Sequence, residues 1–259
     1  TAGPGRAGTA ELWPLSFPCP APQTSPVKHL LVAYDGSPGA DAALEDLALA
    51  GLGGEVTCEV LSVHDAWLPP EPGEDAPPRP AEVAEQALAR REEVAAGVAA
   101  CRAGAERGAA RLRGMFPAWQ VTADARADSP PWAVVRRADT WPADLVVVGA
   151  HSHSLLERFF LGSSSQRILA EARCSVRIGR ARAGRTGPPV VLAAVDGSDD
   201  ALAAVKSLAA RTWPDGTRFA VVTVFEARLQ AVAWPAVYAG AWARKTARNL
   251  RDWAGEMAE

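Results

Sequence analysis

The sequence predicts a doubly wound α/β fold around a five-stranded parallel sheet, followed by the front half of a second copy. Three observations carry this expectation. Apolar runs alternate with helical patterns along the chain, the order of a parallel sheet covered by helices on both faces. The runs are nearly continuous, as strands buried on both faces require. Finally, Leu30-Leu31-Val32-Ala33-Tyr34-Asp35-Gly36-Ser37 returns as Val191-Leu192-Ala193-Ala194-Val195-Asp196-Gly197-Ser198, with Asp35 and Asp196 spaced 161 residues apart.

That spacing holds without a gap through a strand, a helix and a second strand. Leu31 matches Leu192, Ala33 matches Ala194, Ala43 matches Ala204, Leu47 matches Leu208 and Val63 matches Val224. Chance gives Asp-Gly-Ser twice easily, but hardly one register across three elements, so a duplicated domain is expected.

In the first copy, Ser37 is placed to N-cap a helix and Pro38 suits its first turn. Ala40, Ala43, Leu44, Leu47 and Ala48 share one helical face, and Gly51, Gly53 and Gly54 end the helix. Residues 56–63 follow as a strand. Residues 67–80 are a loop rich in proline and acid, and 81–113 have helical spacing. A short strand is expected over 120–125, a helix over 130–140 and a strand over 144–148 ending in Gly149. A helix over 163–172 and a last strand over 175–178 complete the copy.

The resulting division is a disordered arm over residues 1–26, a domain over 27–180, a linker over 181–189 and half of a second domain over 190–259. The second copy shows two strands, 190–195 and 218–225, and two helices, near 201–211 and 240–257. It has no counterpart of the segment from Gly149 to Ser165, so it is expected neither to bind a polyphosphate nor to fold alone.

Composition narrows the class. The chain has 259 residues, a net charge of −3 and a hydrophobic fraction of 48%. A basic excess, the electrostatic mark of nucleic-acid or anionic-membrane binders, is missing. No apolar run reaches the ~18 residues of a membrane span, and the Pro-, Gly- and Ala-rich N-terminus has no charged region followed by an apolar one. None of the four cysteines is paired at the spacing of a zinc site. Reduced thiols in a cytoplasmic protein are expected, without partners among nucleic acids or membranes.

The densest chemical signal is the segment from Val148 through Gly149, Ser152, Leu161 and Gly162 to Ser163, Ser164 and Ser165. It leaves a buried strand and enters a helix, whose first N–H groups lack partners and whose dipole is positive there. Three serine hydroxyls add donors. No Gly-Lys-Ser/Thr or Gly-x-Gly-x-x-Gly occurs. Taken alone, the loop fits equally an ordinary connection with a serine cap, and for Asp35 the plainer alternative is a helix-start carboxylate in a turn. Asp35, Val63 and Gly149 end successive strands, and such ends converge on a crevice in open α/β sheets.

Leu31-Val32-Ala33-Tyr34-Asp35-Gly36-Ser37, the strand ending at Val63, Ala143-Asp144-Leu145-Val146-Val147-Val148-Gly149, Leu161-Gly162-Ser163 and Cys174-Ser175-Val176-Arg177-Ile178 together resemble the universal stress protein family, in family order. The resemblance covers residues 27–180 in full and 190–259 in part. It implies an adenine-nucleotide alpha-hydrolase-like fold with strand order 3-2-1-4-5. It also implies an ATP site, with or without Mg²⁺, made by Ala33, Asp35, Val63, Val148, Gly149, Ser152, Gly162, Ser163, Ser164 and Ser165. Asp35 would lie by ribose and adenine, and the Val63 backbone would read the adenine edge. In ATP-binding members a glycine stands where this chain has Ser152.

Other residues read more plainly. His151 and His153 have no ligand cluster near them in sequence, so a solvated loop or a polar contact to phosphate is expected and no metal site. His64 and Asp65, adjacent in a strand, point to opposite faces and make no dyad. Arg136 and Arg137 read as a solvated helix face, and the nine tryptophans as packing residues. No nucleophile–base pair is found, so no catalytic residue is assigned. The resemblance implies an ATP-binding regulator of the stress response, as a homodimer or an intramolecular pseudo-dimer of the two repeats. The alternatives are a non-nucleotide interaction module of the same fold and a slow ATPase.

Overall fold

In the computed structural model, which describes residues 27–67, 80–150, 162–180 and 187–223, five strands form one parallel sheet. They are β1 (His29–Ala33), β2 (Thr57–Asp65), β3 (Gln120–Asp128), β4 (Leu145–Gly149) and β5 (Ser175–Gly179). Their order is β3-β2-β1-β4-β5, all neighbours parallel, as the resemblance implies. The connections are α1 (Pro38–Asp46), α2 (Ala81–Met115), α3 (Pro130–Thr140) and α4 (Ser163–Glu171).

Side chains alternate across each strand, so the sheet carries two cores. On one face Leu30, Val32, Cys58, Val60 and Val147 meet Ala43 and Leu44 of α1 and Ala105, Ala109 and Leu112 of α2. On the other, Leu31, Leu61, Val146 and Val148 meet Val134, Val135 and Ala138 of α3 and Ile168 of α4. Burial pushes the Cys58 thiol up to about 12, with the neighbouring Glu59 charge adding to the effect. In the folded protein Cys58 is therefore expected to resist alkylation at pH 8 and to react only in denaturant, as mass spectrometry of iodoacetamide-treated samples would show.

Several boundaries move. Strand β3 runs to Asp128, because pairing with β2 continues from Thr57↔Gln120 to Asp65↔Asp128. Helix α1 stops at Asp46, and a 3₁₀ turn over Leu47–Leu49 leads to Gly51 at φ +65°. Residues 1–26 and 224–259, and with them the expected arm and the last helix of the second copy, lie outside the described residues.

Two side-chain expectations are corrected. Arg137 is not on a solvated face. Its Nε donates to Glu59 Oε1 at 2.7 Å and its Nη2 to Oε2 at 2.5 Å, beneath α3, where Glu59 is only 6% exposed. Arg136 pairs with Asp128. The tryptophans are also not uniformly packing residues. Trp119 is buried and stacks on Phe116, while Trp67 is 73% exposed.

The segment after residue 187 forms β6 (Val190–Ala194), α5 (Asp199–Ala209) and β7 (Arg218–Val222), a separate two-stranded parallel sheet. Its geometry follows that of residues 27–62 at the 161-residue spacing. His29↔Thr57 corresponds to Val190↔Arg218. The Ser37 amide donates to Asp35 Oδ1 at 2.9 Å, and the Ser198 amide to Asp196 Oδ1 at 2.9 Å. Tyr34 N–H donates to Leu61 O, and Val195 N–H to Val222 O, both at 2.9 Å. Val190, Leu192, Phe219 and Val221 stay exposed on this small sheet.

Candidate functional site

The strand order reverses between β1 and β4, and a cleft opens there beyond the carboxyl ends of the strands. The described residues outline a cavity of about 210 Å³. Its walls are apolar on the α3 and α4 side, with Leu61, Val63, Pro130, Val134, Val148 and Ile168. Ala33 packs with this wall, Tyr34, Asp35, Ser37 and Ala40 complete the lining from β1 and α1, and Ser164 and Ser165 line it from the first turn of α4.

Asp35 is set by its own turn. Its Oδ1 accepts the Ser37 N–H at 2.9 Å, Gly36 takes φ +76°, and Ser37 Oγ accepts the Ala40 N–H at 3.1 Å as the N-cap of α1. The carboxylate is thus both a turn-former and the charged side chain of the cleft lining among the described residues. The Tyr34 hydroxyl donates to Asp41 Oδ1 at 2.7 Å, on the seam between α1 and α2, where Arg111 pairs with the same carboxylate. Burial first, and the Asp41 bond second, hold the phenol above its ordinary pKa.

Gly149 is where the fold tolerates no side chain. A Cβ built there would lie 2.6 Å from Gly39 C and 2.7 Å from Ala40 N. Gly39 is its partner, since a Cβ on Gly39 would lie 2.6 Å from Ala150 O. The end of β4 therefore rests backbone to backbone on the first turn of α1. Ser165 locks the same point. It is 4% exposed, and its Oγ donates to Gly149 O at 3.1 Å, tying the first turn of α4 to the end of β4.

Of the sequence-derived site residues, Ala33, Asp35, Val63, Val148, Gly149, Ser164 and Ser165 line this one cleft. Ser163 opens α4 and Gly162 is its N-cap, with φ −59° and ψ 153° and no side-chain cap bond. Serine capping by Ser163 is therefore replaced by a glycine cap, and the Gly162 backbone is one that any residue adopts. Ser152, His151 and His153 lie outside the described residues. Sequence reasoning missed Tyr34, Ser37, Ala40, Leu61, Pro130, Val134 and Ile168. Most are apolar positions of ordinary core pattern, which carry no signal of their own. Gly39 did carry one, being a glycine inside a helix turn where a better helix former is preferred.

The His64 imidazole leaves the site. A Cβ on Gly97 of α2 would lie 2.4 Å from His64 Nε2, so the ring is seated on the opposite face of the sheet. Among the described residues, no group of three His, Cys, Asp or Glu side chains is placed to hold a metal ion. No described helix is long and apolar enough to cross a membrane.

The sequence profile of the Universal stress protein family matches residues 26–180. No curated protein matches the sequence. Among solved structures, hypothetical protein MJ0577 is similar at 16% identity and TM-score 0.46, over 61% of this chain and 99% of that one. Universal stress protein UspA from Lactobacillus plantarum is similar at 21% identity and TM-score 0.42, over 60% and 99%. A universal stress protein family protein from Arabidopsis thaliana, with AMP bound, is similar at 15% identity and TM-score 0.37, over 62% and 96%. The profile match spans more than half of the chain, and its five-strand order is in place, so the chain belongs to the universal stress protein family.

Proposed function

We propose that residues 27–180 bind an adenine nucleotide, ATP with or without Mg²⁺, and that the protein is a nucleotide-binding regulator of the stress response rather than an enzyme. One observation carries this reading. Three strand ends and the N-terminus of α4 converge on a cleft lined by apolar side chains together with Asp35, Ser37 and Ser164. An apolar slot suits a purine, a carboxylate suits ribose hydroxyls, and a helix N-terminus with hydroxyls suits phosphate. Ala33, Asp35, Val63, Val148, Gly149 and Ser164 would touch the ligand, with Ser152, Gly162 and Ser163 on the phosphate side. Ser165 acts through Gly149 as a positioning residue. In this reading residues 190–259 are a second copy of the domain, linked by 181–189 and paired with the first in a cytoplasmic protein.

Calorimetric titration of the full chain with ATP and AMP tests it. Binding is expected for both, and Ser164→Ala is expected to weaken ATP by about fivefold, the worth of one hydrogen bond of ~1 kcal/mol. Absence of heat and of any ligand-induced shift in melting temperature would sink the nucleotide reading.

The interaction-module reading has an observation of its own. Packing against Gly39 alone accounts for Gly149, without any phosphate. The same titration separates the two, since an interaction module of this fold would melt at one temperature with and without nucleotide.

A further inference from the structure

The turn that carries Asp35 occurs twice in this chain. At Asp35-Gly36-Ser37 and at Asp196-Gly197-Ser198 the serine amide donates to the aspartate Oδ1 at 2.9 Å, and the serine Oγ caps the following helix at 3.1 Å. Gly36 and Gly197 take φ +76° and +85°. These bonds set the shape of the turn. They do not set its angle to the sheet, because none of them leaves the turn and the helix it starts.

A contact that spans the turn is present in the first copy alone. The Tyr34 hydroxyl donates to Asp41 Oδ1 at 2.7 Å, joining the residue before the turn to the first helical turn after it. At the 161-residue spacing the counterparts are Val195 and Leu202, which have no polar side-chain atom to form such a bond. Three further contacts seat this latch. The Tyr34 N–H donates to Leu61 O at 2.9 Å, holding the end of β1 to β2. The ring, only 6% exposed, lies on Gly108 of α2, where a Cβ would come within 3.2 Å of Tyr34 Cδ1. Arg111, three residues further along α2, reaches Asp41 at 2.7 Å and Glu45 at 2.9 Å. The latch thus ties β1, α1 and α2 together at one point. Turn formation does not require it, since the turn at Asp196 forms without it. The two turns differ in their setting. Strand β1 lies between β2 and β4 with its turn at the cleft, whereas among the described residues β6 pairs with β7 alone.

We propose that Tyr34 is a positioning residue whose hydroxyl, through Asp41, holds the Asp35 turn at the angle at which its carboxylate meets the ribose hydroxyls of a bound nucleotide. This inference rests on the nucleotide reading and deepens it by naming what fixes the ribose contact. The Asp41–Arg111 ion pair is exposed on both sides, 38% and 41%, and such pairs contribute little by themselves. The part-buried hydroxyl bond carries the restraint. Without it Asp35 stays at the cleft but swings, so the loss falls on ligands that carry the ribose hydroxyls.

Calorimetric titration of the full chain with AMP and with 2′,3′-dideoxy-AMP, which lacks both hydroxyls, tests it. The unaltered chain is expected to bind AMP more tightly than the dideoxy compound. Tyr34→Phe keeps the ring against Gly108 and removes the hydroxyl alone. It is expected to weaken AMP by about fivefold, the worth of one hydrogen bond, and to leave the dideoxy compound unaffected. Asp41→Ala removes the acceptor instead and should do the same. The double variant should be no weaker than either single one, because both changes break one bond. If Tyr34→Phe failed to melt cooperatively, Asp41→Ala, at a more exposed position, decides. Equal weakening of the two ligands would overturn the inference, since general loosening of the fold does not distinguish them. Unchanged AMP binding in a folded variant, or additive losses in the double, would overturn it too. An unaltered chain that binds both ligands equally would overturn the ribose contact and leave nucleotide binding standing. One that binds neither would overturn the nucleotide reading itself, and this inference with it.

Discussion

Replacing Arg137 by alanine is expected to lower the unfolding free energy by about 3 kcal/mol. The guanidinium is the bidentate partner of Glu59, which sits in the middle of β2 between Leu31 of β1 and Thr122 of β3. Truncation leaves that carboxylate beneath α3 without its counter-charge, and stranding one member of a buried pair typically costs about 3–5 kcal/mol. The lower end applies because the Arg137 side chain is 25% exposed and water partly replaces it. Trp141, whose ring lies 5.5 Å from the guanidinium, loses a cation–π contact as well. Urea denaturation followed by circular dichroism measures the change. The double replacement Glu59→Leu with Arg137→Met should recover most of the loss, because it removes both charges and keeps the volume. A single Arg137→Ala that melts like the unaltered protein would show that the pair is solvated.

Gly149→Val is expected to abolish measurable nucleotide binding and to destabilise the first domain by about 1–3 kcal/mol, the usual cost of overpacking a close contact. The added Cβ would enter the space of Gly39 C and Ala40 N, which are backbone atoms that yield only if α1 moves away from the end of β4. That movement widens the cleft at Asp35 and pulls Gly149 O from Ser165 Oγ, loosening the first turn of α4. Gly39→Ala presses on the same seam from the other side, toward Ala150 O. The two substitutions are therefore expected to be less than additive, since either one alone already opens the seam. Thermal melting of the two single variants and the double, with ATP titration of each, checks both statements. Additive losses would mean that the two glycines act at separate contacts.

The sequence carried the fold unusually far, and the reason is local. Leu30–Val32 and Leu145–Val148 are unbroken apolar runs that only strands buried on both faces can satisfy. The turn at Asp35-Gly36-Ser37 contains its own hydrogen bonds, so its conformation follows from three adjacent residues and recurs at Asp196-Gly197-Ser198. The polar part of the cleft was legible for the same reason, because residues that end strands or begin helices are marked by glycine and serine.

Tertiary contact decided the rest. The cleft's apolar wall comes from α3 and α4, far along the chain from β1, and Pro130, Val134 and Ile168 look in sequence like any core residue. Arg137 lies next to Arg136 in a polar helical pattern, and only the crossing of α3 over β2 distinguishes the one that meets Glu59. Gly149 read as a phosphate-loop glycine, yet its first constraint is Gly39, a residue 110 positions away. Sequence by itself determined which segments are strands and helices and which loops carry chemistry, because those depend on near neighbours. Which side chains face one another across the sheet was decided by packing, since a contact between distant residues has no local signature.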